Sequence, residues 1–180
     1  MSFKEESRKA KKCAFRYLSY RDRSRGELIH HLQKKGFSDN ALNETLTFLE
    51  EKDFINEPRF ALQFGRSRIT NKKIGKERLK NELKEKGLGT QIINETLNSL
   101  YEEFDEREIA VTCAKKKLQS FSLTDIKKKR GRLAKFLERK GFTSNLIYQI
   151  VTQLVPNVSN NDLVASQLNK QCQKTKSSGS

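Results

Sequence analysis

The chain has 180 residues, 34% of them hydrophobic and 33% charged, with no tryptophan and two prolines. That composition gives a thin apolar core under a large surface, and so few turn-formers argue against a β-sandwich. The 37 basic residues outnumber the 22 acidic ones, and the resulting formal charge of +15 directs the protein toward a polyanion or an acidic protein groove.

No apolar run approaches the length of a membrane span, and the start Met1-Ser2-Phe3-Lys4-Glu5 has no signal-peptide core. A cytoplasmic protein is therefore expected. Cys13, Cys113 and Cys172 are odd in number and match neither a disulfide framework nor a C-x-x-C metal spacing, so reduced thiols are expected.

In chain order, Lys9 to Tyr20 reads as a first helix, with Cys13, Ala14, Tyr17 and Leu18 at helical spacing. The basic linker Arg21-Asp22-Arg23-Ser24-Arg25 leads into a helix capped by Ser24, where Glu27 completes a reciprocal capping box. That helix should stop at Gly36, which takes the left-handed C′ geometry cheaply, and Ser38 should cap the next one. A second set begins with Glu57 to Ile69, carrying Phe60, Ala61 and Phe64. It passes Arg66-Ser67-Arg68 and Lys72-Lys73-Ile74-Gly75-Lys76, then turns at Gly87. A third begins with Ile109 to Leu118, carrying Ala110, Cys113 and Ala114. It passes Asp125-Ile126-Lys127-Lys128-Lys129-Arg130 and turns at Gly141. Gly89 and Thr143 stand where Ser38 stands, and no strand is expected anywhere.

Aligning Gly36, Gly87 and Gly141 brings Leu28, Leu79 and Leu133 into one column, and Leu32, Leu83 and Leu137 into another. Lys35, Lys86 and Lys140 then align, as do Phe37, Leu88 and Phe142. An internal repeat of fixed period predicts an elongated array of units that bury their apolar faces partly against one another. The expected architecture is all-α, with about nine helices in three tandem three-helix units. Their bounds are 1–52, 53–104 and 105–156, followed by a polar mobile tail over 157–180 with at most a short helix around Leu163 to Leu168. Arg25, Lys76 and Arg130 share the column that opens each hairpin helix, so a constant rotation between units would align them along one face.

Catalytic chemistry finds no foothold in these residues. His30 and His31 are adjacent, so on a helix they cannot both face one metal; one should pack and the other face water. Gly75-Lys76 ends like a phosphate-binding loop, but Thr70 replaces the leading glycine and Glu77 the magnesium-binding hydroxyl. Glu50, Glu51, Glu102 and Glu103 read as solvated helix ends. No metal, cofactor or small-molecule substrate is expected, and the chain is read as a monomer.

The run Tyr17-Leu18-Ser19-Tyr20-Arg21-Asp22-Arg23-Ser24-Arg25-Gly26-Glu27-Leu28 resembles the opening signature of the RecX family, small regulators of the bacterial recombinase RecA. Phe54-Ile55-Asn56-Glu57-Pro58-Arg59-Phe60-Ala61-Leu62-Gln63-Phe64 is similar to its central motif, which continues from Gly75 to Gly87. Asp53 departs from the family's usual glycine at a helix end, which aspartate tolerates because it visits the left-handed region readily. Glu57 departs from a common Asp, and the third unit is the loosest match.

The resemblance implies a curved helical protein that lodges in the groove of the RecA filament on DNA and hinders filament growth, strand exchange and the coprotease role of the SOS response. Arg21, Arg23, Arg25, Arg66, Arg68, Lys72, Lys73, Lys76 and Arg78 are the first candidates for contact with acidic RecA surface or DNA phosphates. Lys127, Lys128, Lys129, Arg130 and Arg132 come second. The alternative is a general DNA-binding helical module that acts through its basic face without a specific protein partner.

Overall fold

The computed structural model describes residues 3–122 and 125–156, and among these it contains nine α-helices and no strand. The first unit comprises α1 (Phe3–Leu18), α2 (Arg25–Lys34) and α3 (Asp39–Glu51). The second comprises α4 (Glu57–Ser67), α5 (Lys76–Glu85) and α6 (Thr90–Glu103), and the third α7 (Glu106–Gln119), α8 (Ile126–Arg139) and α9 (Ser144–Leu154). The principal helix–helix packing stays inside each unit, so this is a tandem three-helix repeat. The expected tail over 157–180 lies outside the described residues, as does Cys172. No helix among the described residues is long and apolar enough to cross a membrane.

Local chemistry places the helix ends. Ser24 accepts from the Glu27 amide while the Glu27 side chain accepts from the Ser24 amide, which satisfies two orphan donors of α2. Gly36, Gly87 and Gly141 turn with φ of 81°, 79° and 84°. Asp53 also adopts the left-handed region, at φ 55°, where its carboxylate accepts from Asn56 Nδ2 at 2.9 Å and pairs with Arg59.

Three elements differ from the expectation. The third unit's hairpin helix α8 starts at Ile126 behind its cap Asp125 rather than at Arg130, so most of the expected linker is its first turn. α1 begins at Phe3 rather than Lys9, because tertiary contacts hold its first turns. Glu6 accepts from the Ser38 amide at 2.7 Å and from its hydroxyl at 3.0 Å, and Lys11 meets Glu44 at 2.8 Å. The second unit's first helix runs into a π-turn over Arg68–Lys72, after which Lys73 takes a left-handed conformation at φ 51°.

The aligned leucines form the core. Leu28, Leu32, Leu79, Leu83, Leu133 and Leu137 are all fully buried. They nevertheless belong to two clusters: one fills the first unit, and the other runs continuously through the second and third. Leu49 and Leu100 stand at the same distance beyond their glycines as Leu154; both are fully buried, whereas in the third unit Val155 is buried and Leu154 only partly so.

What joins the first unit to the second is polar. Ser24 Oγ donates to the Lys86 carbonyl at 2.6 Å, and Lys86 Nζ donates to Glu27 at 2.7 Å. Glu27 also receives Arg21 at 2.8 Å. Burial alone would raise the Glu27 carboxyl, but the hydrogen bonds from Arg21 and Lys86, the Lys86 charge and the Ser24 amide outweigh it, bringing the group from 4.5 down to about 2.

A carboxyl depressed in the folded state stabilises above its unfolded value and loses that contribution as pH falls toward the folded one. Glu27 should therefore supply on the order of 3 kcal/mol at neutral pH, fully present above 4.5 and lost by about 2. Thermal unfolding of Glu27→Gln should show a flattened acid limb between those values. An acid limb identical to that of the parent would refute this account of the joint.

Candidate polyanion-binding surface

The predicted basic positions divide into two groups once the units are assembled. The column of Arg25, Lys76 and Arg130 closes each unit, reaching the C-terminal end of the third helix every time. Arg25 pairs with Glu50 at 2.8 Å, Lys76 lies 5.6 Å from the Tyr101 ring centroid, and Arg130 donates to the Val155 carbonyl. Glu50, Tyr101 and Val155 are equivalent repeat positions, so the recurrence of the cationic column has a structural cause within each unit.

Other linker arginines are also engaged internally. Arg21 binds Glu27, Arg66 meets Glu103 at 2.6 Å, and Arg68 meets Glu82 at 2.7 Å while lying over the Phe64 ring. Arg78 shares Glu82 and donates to the Arg139 carbonyl at 3.1 Å. Arg23 lies 4.1 Å from the Tyr17 ring centroid. Exposed pairs of this kind contribute about 0–1 kcal/mol each, but they cancel much of the local field these side chains would offer a polyanion.

Lys72 and Lys73 differ. The π-turn places them opposite α7, where they line a cavity of about 400 Å³ together with Lys116, Lys117, Lys140 and Asn71. Lys140 Nζ donates to the Lys72 carbonyl at 2.6 Å, which fixes this side of the wall. Lys117 continues into a second groove of about 240 Å³ with Arg132, Lys135 and Arg139. No carboxylate among the described residues lines either cavity. Phe136 lies beneath Lys117 and Lys140, with ring centroids 5.7 and 5.8 Å from their ammonium nitrogens, so the cations rest on an apolar floor.

Cys113 faces the first of these cavities, but burial pushes its thiol up more than Lys140, Lys73 and Lys116 pull it down. It is therefore protonated at neutral pH and poorly nucleophilic. Arg132 is the only member of the predicted third-unit run in this lining; Lys127, Lys128 and Lys129 lie outside it. Lys116, Lys117, Lys135 and Arg139 were missed by the sequence reading, although Lys115-Lys116-Lys117 is visible there as a charge run.

A further cleft of about 530 Å³ opens between α1 and α2, lined by Lys12, Arg16, Lys35, Tyr17, Tyr20 and His31, among others, and again by no carboxylate among the described residues. Tyr17 stacks on His31 with centroids 3.8 Å apart, and Tyr20 is 75% exposed. Burial, followed by the charges of Lys35 and Arg23, lowers His31 below its ordinary value, so it is neutral at pH 7. His30 is exposed, as its neighbour's packing leads one to expect. No cluster of three or more His, Cys, Asp or Glu residues that could hold a metal ion occurs among the described residues.

Comparison with known proteins gives one family throughout. Models of the first, second and third RecX three-helix domains match residues 10–49, 56–97 and 105–151. The regulatory protein RecX of Chlorobium phaeobacteroides (strain BS1) is 34% identical over 83% of this chain and 95% of its own length. That of Prosthecochloris aestuarii is 33% identical over 84% of this chain and 97% of its own. The Bacillus licheniformis RecX is 33% identical over 82% of this chain, which spans only 56% of that longer relative. The crystal structure of RecX from Lactobacillus salivarius superposes with a TM-score of 0.74 at 27% identity, over 83% of this chain and 97% of that one. A second RecX crystal structure, at 21% identity and a TM-score of 0.75, shares the fold over 84% of this chain and 73% of its own.

Proposed function

The chain belongs to the RecX family, and we propose that it is a non-enzymatic regulator of RecA that binds the RecA–DNA filament and limits its growth, strand exchange and coprotease activity. The observation that carries this reading is the basic groove across the second and third units, lined by no carboxylate among the described residues. Lysines on an apolar floor attract phosphate or carboxylate without offering a nucleophile or a base. Such a ligand shifts a filament between states only if its contacts differ between them. Binding across neighbouring subunits does so by favouring one subunit spacing over another and by occluding the path of DNA.

The test is RecA's DNA-dependent ATP hydrolysis and filament length, measured with the protein added at or below stoichiometric amounts. Shorter filaments and slower hydrolysis are expected; unchanged filaments and rate would end this reading.

A second reading, direct binding to single-stranded DNA, is favoured by the α1–α2 cleft, where exposed Tyr20 stands beside Lys12 and Arg16. It predicts binding to naked oligonucleotide whose logarithmic affinity falls with the logarithm of salt by about 0.7 per phosphate neutralised. It also predicts the loss of that binding in Tyr20→Ala.

A further inference from the structure

The units are joined end to end by one repeated contact, in which the C-terminal corner of a hairpin helix meets the first turn of the preceding unit's hairpin helix. At the first joint the Lys86–Gly87 corner receives Ser24 Oγ on the Lys86 carbonyl at 2.6 Å. A Cβ on Gly26 would stand 2.9 Å from that carbonyl oxygen and 3.3 Å from Gly87 Cα, so only a glycine fits there without displacing backbone. Lys86 Nζ takes the first-turn carboxylate Glu27 at 2.7 Å.

At the second joint the Lys140–Gly141 corner receives the Gly75 amide on the Lys140 carbonyl at 2.8 Å and the Glu77 amide on the Gly141 carbonyl at 3.1 Å. Both joints set the negative end of one helix against the positive end of another and give orphan carbonyls a donor. The apolar residue that follows the glycine is buried at the second joint, where Phe142 is 4% exposed and its Cδ1 lies 2.7 Å from where a Gly75 Cβ would stand.

A third copy of the same corner exists and is open. Lys35, Gly36 and Phe37 repeat Lys86, Gly87 and Leu88 in sequence, and Gly36 makes the same left-handed turn. Among the described residues nothing lies within 4 Å of where a Gly36 Cβ would stand, and Phe37 is only half-buried.

The opposite end of the array cannot fill this corner from a second copy. The third-unit counterpart of Ser24 and Gly75 is Lys129, which lies inside α8 because that helix begins earlier, at Ile126 behind its cap Asp125. The first turn of α8 instead carries Lys127 and Lys128 and no acidic residue, so it would set like charge against Lys35, which opposes the head-to-tail chain of copies that two complementary ends would generate.

We propose that the Lys35–Gly36–Phe37 corner docks the N-terminus of a helix in another protein, one with serine or glycine at its cap and a carboxylate in its first turn. The cap residue donates to the Lys35 carbonyl, the carboxylate meets Lys35 Nζ, and the partner covers Phe37. This inference stands apart from the RecA reading, since it is drawn from the two internal joints alone.

The probe is a synthetic peptide of residues 22–34, held helical by a lactam bridge remote from Ser24 and titrated into the full-length, isotopically labelled chain. Amide shifts centred on Lys35, Gly36 and Phe37 that saturate at millimolar peptide are expected. Binding should weaken by about tenfold when the peptide carries Ser24→Ala and Glu27→Gln, which removes its cap and its charged partner. The chain variant Lys35→Glu, with an unchanged circular dichroism spectrum, should lose most of the response. No shift at the corner, equal binding of the substituted peptide, or shifts centred instead on Lys86 and Gly87 would each overturn the proposal.

Discussion

Replacing Gly75 by alanine is expected to destabilise the protein by about 3 kcal/mol, at the upper end for an overpacked site, although its backbone, at φ −86° and ψ 174°, is one that alanine adopts freely. The cost is steric. An added Cβ would overlap the Gly141 carbonyl oxygen and stand 2.6 Å from its carbon and 2.7 Å from Phe142 Cδ1. Backbone cannot swing aside as a side-chain end can, so the second and third units must separate, losing the Gly75–Lys140 and Glu77–Gly141 hydrogen bonds and exposing Phe142.

Gly141→Ala should cost more, about 4 kcal/mol, because its φ of 84° adds left-handed strain to a collision with the Arg78 backbone. Gly131→Ala is the internal control. That glycine lies within α8 with open space around it, so alanine should stabilise by about 0.5–1 kcal/mol. Urea unfolding midpoints of the three variants decide the matter. A Gly75→Ala midpoint equal to the parent's would mean that the joint does not hold the units together.

These glycines show how much of the fold could be read from residue order. Gly36, Gly87 and Gly141 mark three helix ends and Ser24 with Glu27 marks a start, because each of these is decided by chemistry within a few residues, whereas Asp53 is legible as left-handed only through the family resemblance that puts glycine there. The π-turn over Arg68–Lys72 could not be read in that way, since Ile69 inside it is buried and the turn is stabilised by what packs on it rather than by its own sequence.

The fate of the arginines was hidden for a related reason. Arg66 and Glu103 are 37 positions apart, as are Ser7 and Glu44, and local periodicity carries no information on which acid a distant guanidinium meets. Lys72 and Lys73 were legible as cations, but their companions Lys116, Lys117 and Lys140 come from α7 and from the end of α8. Only the rotation of one unit against the next brings the five together. The α1–α2 cleft is not legible in the sequence because its cations are spread along α1 at ordinary surface spacing.

That division of cations yields the sharpest functional contrast. Lys116→Ala with Lys117→Ala and Lys135→Ala removes three groove cations, none of which forms an ion pair with a carboxylate among the described residues. Binding to double-stranded DNA, or to RecA-coated DNA, should lose about 0.9 in salt slope for each phosphate contact removed, and between ten- and a thousandfold in affinity near 0.1 M salt. Stability should change by less than about 0.5 kcal/mol per site, since Lys116 and Lys135 are exposed and Lys117 only half-buried.

Arg25→Ala with Arg66→Ala lowers the formal charge by two units but removes side chains already occupied by Glu50 and Glu103. A surface that acts through local contact should keep its salt slope in that variant, whereas one that acts through total charge should weaken it nearly as much as the lysine changes do. If the arginine pair proves essential while the lysines are dispensable, the linkers rather than the groove meet the polyanion, and the intramolecular pairs open on binding.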